Sequence, residues 1–305
     1  MPACKIPPQA RRLAVVTGAA HGLGYQIARA LVKDCVDVII ADHNENDGHE
    51  AVRNIRPLAL NALVRFEWLD VANLNSVSAF ACRLAREGRA IDLLINSATL
   101  NVLPERRVTA DGFEMQFAAN YLGHFALTAQ LLPLLRLSTQ PRTVQLSSLA
   151  YRFGAIRFDD LHGERRYKPW AAYFQSKLAM ILFALELQRQ SDAHGWGLMS
   201  SAVHPGFPQA ELSANSLDDT RLLSRLRRVL VTSAYHSDAQ GALPALFAAT
   251  SADVVPGGFY GPGKFLEFTG PPALAYVSPR ARDRKAARKL WQVSEQLTCA
   301  KWPTG

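Results

Sequence analysis

Short apolar runs alternate along the chain with longer segments whose apolar residues recur every three or four positions. Leu13 to Thr17 is a β-branched run that ends at a glycine, and Tyr25 to Lys33 then carries helical spacing. The same change of period recurs. Val36 to Ala41, Val64 to Leu69, Ile91 to Ile95, Thr143 to Leu146, Gly197 to Val203 and a short run near Gly258 to Tyr260 read as strands. Val77 to Glu87, Phe113 to Leu135, Ala172 to Gln190 and Ala239 to Thr250 read as helices between them. Strands and helices alternating at these lengths predict βαβ units. The fold class is therefore α/β, a Rossmann-type doubly wound parallel sheet covered on both faces.

The strands are nearly continuous in apolar residues, as a sheet buried on both faces requires. No internal repeat and no linker rich in Ser, Gly or Pro divides the chain. The 305 residues thus read as a tail over 1–11 and a single domain over 12–305. Two irregular excursions, Tyr151 to Ala172 and Phe207 to His236, follow strands, where ligands of doubly wound sheets bind. They are expected to wall a pocket.

Composition sharpens this picture by exclusion. Hydrophobic residues make up 49% and charged residues 20%, which excludes disordered, collagen-like and coiled-coil chains. Cys4, Cys35, Cys82 and Cys299 lie far apart, without the spacing of a metal site or a disulfide framework. A reducing, cytoplasmic location is expected. No run of about 18 apolar residues occurs and no signal peptide is recognised, so no transmembrane segment is predicted.

The chemistry begins where the first strand ends. Thr17 is followed by Gly18-Ala19-Ala20-His21-Gly22-Leu23-Gly24, and a helix starts there. A sharp strand-to-helix turn needs residues without Cβ, and the helix N-terminus offers free N–H groups to a diphosphate. Asp42 ends the second strand, 24 residues after Gly18, near the roughly 20-residue interval at which an acid meets an adenosine ribose. Asp70 and Val71 follow the third strand, Asn96-Ser97-Ala98 the fourth, and Ser147-Ser148 the fifth. Tyr173 and Lys177, four apart, share one helix face. His204-Pro205-Gly206 follows the sixth strand.

These motifs, in this order, resemble the short-chain dehydrogenase/reductase family. Asn120 to Phe125, Phe158 to Leu161, Ala172 to Leu178 and Leu290 to Glu295 are similar to its retinol dehydrogenase-like and WW-domain oxidoreductase-like branch. The likeness runs from about Arg12 to Thr298. No WW module precedes it, and the N-terminal membrane anchor of many retinol dehydrogenases is not found. The resemblance implies an oxidoreductase that moves a hydride between a nicotinamide nucleotide and an alcohol or carbonyl. Tyr173 would be the general acid/base, Lys177 would bond the nicotinamide ribose, Ser148 would hold the substrate oxygen, and Asn120 would position a relay water. A cap or kink of its helix is the lesser alternative reading of Asn120. The cofactor set implied is Gly18, His21, Gly22, Leu23, Gly24, Asp42, His43, Asp70, Val71, Asn96, Ser97, Ala98, Tyr173, Lys177, Pro205 and Gly206, with no metal. Elementary acid–base chemistry supports the pairing, because a nearby cation lowers the pKa of a phenol whose free value is near 10.

Asp42 points to NAD, since a 2′-phosphate there would meet like charge; His21 and His43 leave NADP open. Two departures from the family pattern stand out. Thr99 replaces the glycine of an N-N-A-G turn. Ala210 stands where a threonine commonly bonds the nicotinamide carboxamide, and weaker cofactor binding is expected from that change.

Tyr151, Phe153, Phe158, Tyr167 and Trp170 suggest an apolar pocket wall and a lipophilic alcohol, aldehyde or ketone. The formal charge of +8 raises nucleic acid as a partner, but basic and aromatic residues do not interleave in any recognised pattern, and none is expected. Arg221 to Leu230 alternates leucines with arginines at helical spacing, which suits a substrate lid, a solvated packing helix or a weak membrane-surface contact. A homodimer is left open. So is a cofactor-sensing regulator without catalysis, which the intact Asn120, Ser148, Tyr173 and Lys177 set argues against.

Overall fold

The computed structural model describes residues 12–206 and 237–303. The expectations for Ala210 and for the Arg221 to Leu230 helix lie outside the described residues, as does the whole of the second excursion.

Six parallel strands form the heart of the sheet: β1 (Leu13–Thr17), β2 (Asp37–Asp42), β3 (Val64–Trp68), β4 (Leu93–Asn96), β5 (Arg142–Leu146) and β6 (Met199–Val203). With β7 (Phe259–Lys264) and β8 (Thr269–Leu274) they make one eight-stranded sheet in the order β3-β2-β1-β4-β5-β6-β7-β8. Every residue of β1, β4 and β5 is buried. Alternate side chains serve opposite cores. Leu13 and Val15 join the cluster on one face, while Ala14 and Val16 join the other, as the period of two in a strand dictates.

Helices α1 (Gly22–Lys33), α2 (Glu45–Ile55) and α8 (Leu243–Thr250) cover one face. Helices α3 (Leu74–Glu87), α5 (Gly123–Leu135), α6 (Pro169–His194) and α9 (Arg284–Thr298) cover the other. Two short helices complete the set, α4 (Met115–Phe117) and α7 (Asp238–Gly241). No helix among the described residues is long and apolar enough to cross a membrane.

The structure corrects four readings of the sequence. Helix α2 was not anticipated. Its core-facing residues are confined to Gly48, Ala51, Val52 and Ile55, too few for a clear period, and an Asn44 side-chain cap starts it. Second, β8 runs antiparallel to β7, so the sheet is not purely parallel. Pro271 and Pro272 hid this strand, and its place at the sheet's edge is where prolines are tolerated. Third, the segment from Phe113 to Leu135 is not one helix: a π-type turn over Ala118–Leu122 joins α4 to α5, and Asn120 sits in that turn. Fourth, the helix expected over Ala239 to Thr250 is divided into α7 and α8, with Pro244 in the first turn of α8.

Candidate active site

The strand order reverses direction between β1 and β4, so the loops beyond their carboxyl ends diverge and leave a crevice between them. A cleft of about 530 Å³ lies there. One end is built by Gly18, His21, Gly22, Leu23 and Gly24 after β1, Asp42 and His43 at and just past the end of β2, and Asp70 and Val71 after β3. Ser97, Ala98 and Thr99 line its middle. Ser147, Lys177 and Pro205 close the other end.

The glycine loop is fixed by close approach. Gly18 has φ of +63°, and a Cβ there would stand 2.6 Å from the Cα of Ala98. In the first turn of α1, a Cβ on Gly24 would collide with the carbonyl of Gly18. The chain can therefore turn directly into α1, whose first-turn N–H groups and positive dipole end face the cleft. Asp42 is buried, accepting from the backbone of Ala20 at 3.1 Å through one oxygen and of Asn44 at 3.2 Å through the other. A carboxylate has about four acceptor sites, so capacity remains for ligand hydroxyls. His43 Nδ1 lies 3.1 Å from the same carboxylate, and its ring is largely exposed.

At the opposite end, α6 carries both Tyr173 and Lys177, each almost wholly buried. Lys177 Nζ is 5.6 Å from the centre of the Tyr173 ring and donates to Thr99 Oγ1 at 2.9 Å. Thr99 thus offers the ammonium an acceptor, a role for this departure that its spacing alone did not announce. The two serines after β5 divide their work. Ser147 Oγ donates to the Lys177 carbonyl at 2.8 Å, fastening β5 to α6. Ser148 Oγ accepts only a 3.3 Å bond from Ala150 among the described residues, so its proton stays available.

Five of the expected residues do not form the cleft wall. The Asn96 side chain turns into the protein and donates to Thr128 and Gln145, joining β4 to α5 and β5. Gly206 donates its N–H to His204 Nδ1 at 3.2 Å. His204 is itself buried, and its Nε2 meets Glu267 at 3.1 Å. Asn120 spends its side-chain amide on Leu100, accepting from its N–H at 2.7 Å and donating to its carbonyl, and on Ser176 Oγ at 2.9 Å. Its side chain therefore ties the turn after β4 to α6. Tyr173 and Ser148 are not lining residues either, but each adjoins one: the Tyr173 ring centre is 5.6 Å from Lys177 Nζ, and Ser148 follows Ser147. Ser176 and Leu100 escaped sequence reading; the signal for Ser176 was its place beside Lys177 on the reactive helix.

The aromatic wall is smaller than expected. Tyr151 is buried, donating to the Tyr276 carbonyl. Phe158 lies under Lys289, and Tyr167 donates to the Leu103 carbonyl. Phe153 and Trp170 are exposed, and both pack on Phe174 beside Tyr173.

Comparison with known proteins agrees with this geometry. The family model for short chain dehydrogenase matches residues 12–221. Retinol dehydrogenase 12 of Mus musculus is 38% identical over 293 residues, covering 95% of this chain and 87% of the relative. Polyprenol dehydrogenase of the same species is 37% identical, with 97% and 86% covered. Among solved structures, an uncharacterized protein from Mycobacterium paratuberculosis superposes with a TM-score of 0.80 at 37% identity, covering 98% of this chain and 97% of its own. The switch-point crevice, the glycine turn and these relatives lead to one assignment: the chain belongs to the short-chain dehydrogenase family, on its retinol dehydrogenase-like branch, and is an oxidoreductase acting on CH–OH groups.

Proposed function

We propose that the protein is an NAD-dependent dehydrogenase of lipophilic primary or secondary alcohols, able to run in reverse on the carbonyl. The observation that carries this reading is the Lys177 ammonium 5.6 Å from the Tyr173 ring, at one end of a cleft whose other end presents Asp42.

The residues present fit a dinucleotide. The turn has no room for a Cβ at Gly18 or Gly24, where it would strike Ala98 or the Gly18 carbonyl, while the space over Gly22 is open; backbone N–H groups at the start of α1 are suited to the diphosphate. Asp42 has acceptor sites for the adenosine ribose hydroxyls, and Asp70 and Val71 flank that end. Lys177 and Pro205 would border the nicotinamide end. When bound, the nicotinamide supplies or accepts the hydride.

The chain's own work is acid–base and positioning. A cation beside a phenol favours phenolate, so Tyr173 Oη can take the alcohol proton or return it to a carbonyl oxygen. Ser148 Oγ, with its proton uncommitted, donates to the substrate oxygen. The Asn120 amide is spent on Leu100 and Ser176, so its main-chain carbonyl is the group left to hold a relay water. Phe153 and Trp170 offer apolar surface beside Tyr173, and relatives named for retinol and polyprenol favour long apolar alcohols.

NAD is preferred because a 2′-phosphate would approach the Asp42 carboxylate. The test is nicotinamide absorbance with NAD and NADP across retinol, farnesol, cyclohexanol and a steroid alcohol. Turnover with kcat/KM higher for NAD is expected. A preference for NADP overturns the cofactor assignment, and turnover of cyclohexanol alone overturns the substrate class.

A further inference from the structure

One buried titratable side chain beside the site has no part in the scheme above. His124 is in the first turn of α5, wholly buried, directly after the π-type turn that holds Asn120. Its Nε2 is 2.9 Å from Thr17 Oγ1, and its Nδ1 is 3.2 Å from the Asn120 carbonyl.

The hydrogen-bond count decides which nitrogen carries the proton. A hydroxyl has two lone pairs and one proton. Thr17 Oγ1 already accepts from Ser97 N at 2.9 Å and from Ala98 N at 3.0 Å. Both lone pairs are used. Its proton must then go to His124 Nε2 at 2.9 Å or to the Ile95 carbonyl at 3.5 Å, and the shorter contact wins. Nε2 is therefore the acceptor. Burial above all disfavours the imidazolium; the bond to the Asn120 carbonyl opposes it, and the Lys177 charge adds a smaller push in the same direction as burial. The ring is neutral, so its one proton resides on Nδ1, facing the Asn120 carbonyl.

We propose that His124 is a positioning residue: as the neutral Nδ1–H tautomer it fixes the Asn120 carbonyl through one nitrogen and, through Thr17, the Ser97–Ala98 turn through the other. The imidazole thus joins β1, the turn after β4 and the π-type turn in one chain of bonds. A carbonyl has two lone pairs, so Asn120 keeps one for water while His124 holds the other. The tautomer follows from geometry alone; the effect on turnover rests on the dehydrogenase reading above.

Two experiments test it. Long-range proton–nitrogen correlation NMR of the labelled wild-type chain, with His124→Asn to assign the resonance, should show a protonated Nδ1 and an unprotonated Nε2 at neutral pH. The reverse tautomer or an imidazolium overturns the proposal whether or not any alcohol is turned over. In the second, His124→Asn keeps an amide donor where Nδ1 stood, whereas His124→Gln keeps a partner for Thr17 and loses that donor. With farnesol and NAD, kcat should fall about tenfold in His124→Gln, with the NADH dissociation constant within twofold of wild type, and be largely retained in His124→Asn. Equal losses in the two variants, or none in either, overturn the positioning role. If wild type turns over no alcohol, the dehydrogenase reading fails and the NMR result still decides the tautomer.

Discussion

Acid should weaken this fold through His124 in a measurable and separable way. The imidazole is buried against Thr17 and the Asn120 carbonyl, and loss of hydration pushes its pKa from 6.5 down to about 4. In the unfolded chain it titrates near its ordinary value. Between these two values the unfolded state binds the proton and the folded state does not, so stability falls as pH falls from about 6.5 and levels off below about 4. Linkage makes this one residue cost about 2 kcal/mol of folding free energy at pH 5 relative to pH 8, rising to about 3 kcal/mol once both states are protonated. Urea unfolding of wild type and His124→Asn at the two pH values isolates the effect. His162 and His204, also pushed down by burial, titrate in both proteins and cancel. Wild type should lose about 2 kcal/mol more than the variant. An equal loss in both would refute the reasoning, because it would mean that the buried ring is protonated at no cost.

Two further outcomes follow. Gly18→Ala, placed at φ of +63° with its Cβ 2.6 Å from Ala98 Cα, should lower stability by about 1–3 kcal/mol and abolish detectable NADH binding by fluorescence; normal binding would show that the turn is not the diphosphate cradle. Trp302 lies against Phe125, Phe183, Trp196 and Trp291, so Trp302→Ala should cost about 3 kcal/mol in urea unfolding, and a loss below about 1 kcal/mol would show that the segment after α9 does not clasp the core.

The alternation of periods carried most of the fold, because a doubly wound sheet writes itself as apolar runs between amphipathic helices. It failed where that grammar breaks. Helix α2 buries few apolar residues and contains Gly48, and β8 holds two prolines that only an edge strand accepts. The places of the glycine loop, Asp42 and the Tyr173–Lys177 pair were legible because strand ends and one helix face fix residues at set spacings. The hydrogen bonds were not. Nothing in the spacing announces that Asn96 turns away to Thr128 and Gln145, or that Thr99 meets Lys177. Both depend on side-chain direction across elements far apart in sequence. The five aromatic residues of the first excursion show the same limit, since composition cannot say which of them fold inward.

In the proposed reaction Tyr173 moves the proton while the cleft holds the nucleotide. Removing its hydroxyl alone tests this most directly, by comparing Tyr173→Phe with wild type for farnesol oxidation by NAD and for NADH binding. A loss of kcat of about a hundredfold or more is expected, with the NADH dissociation constant unchanged within about threefold. Retention of wild-type turnover in Tyr173→Phe would contradict it.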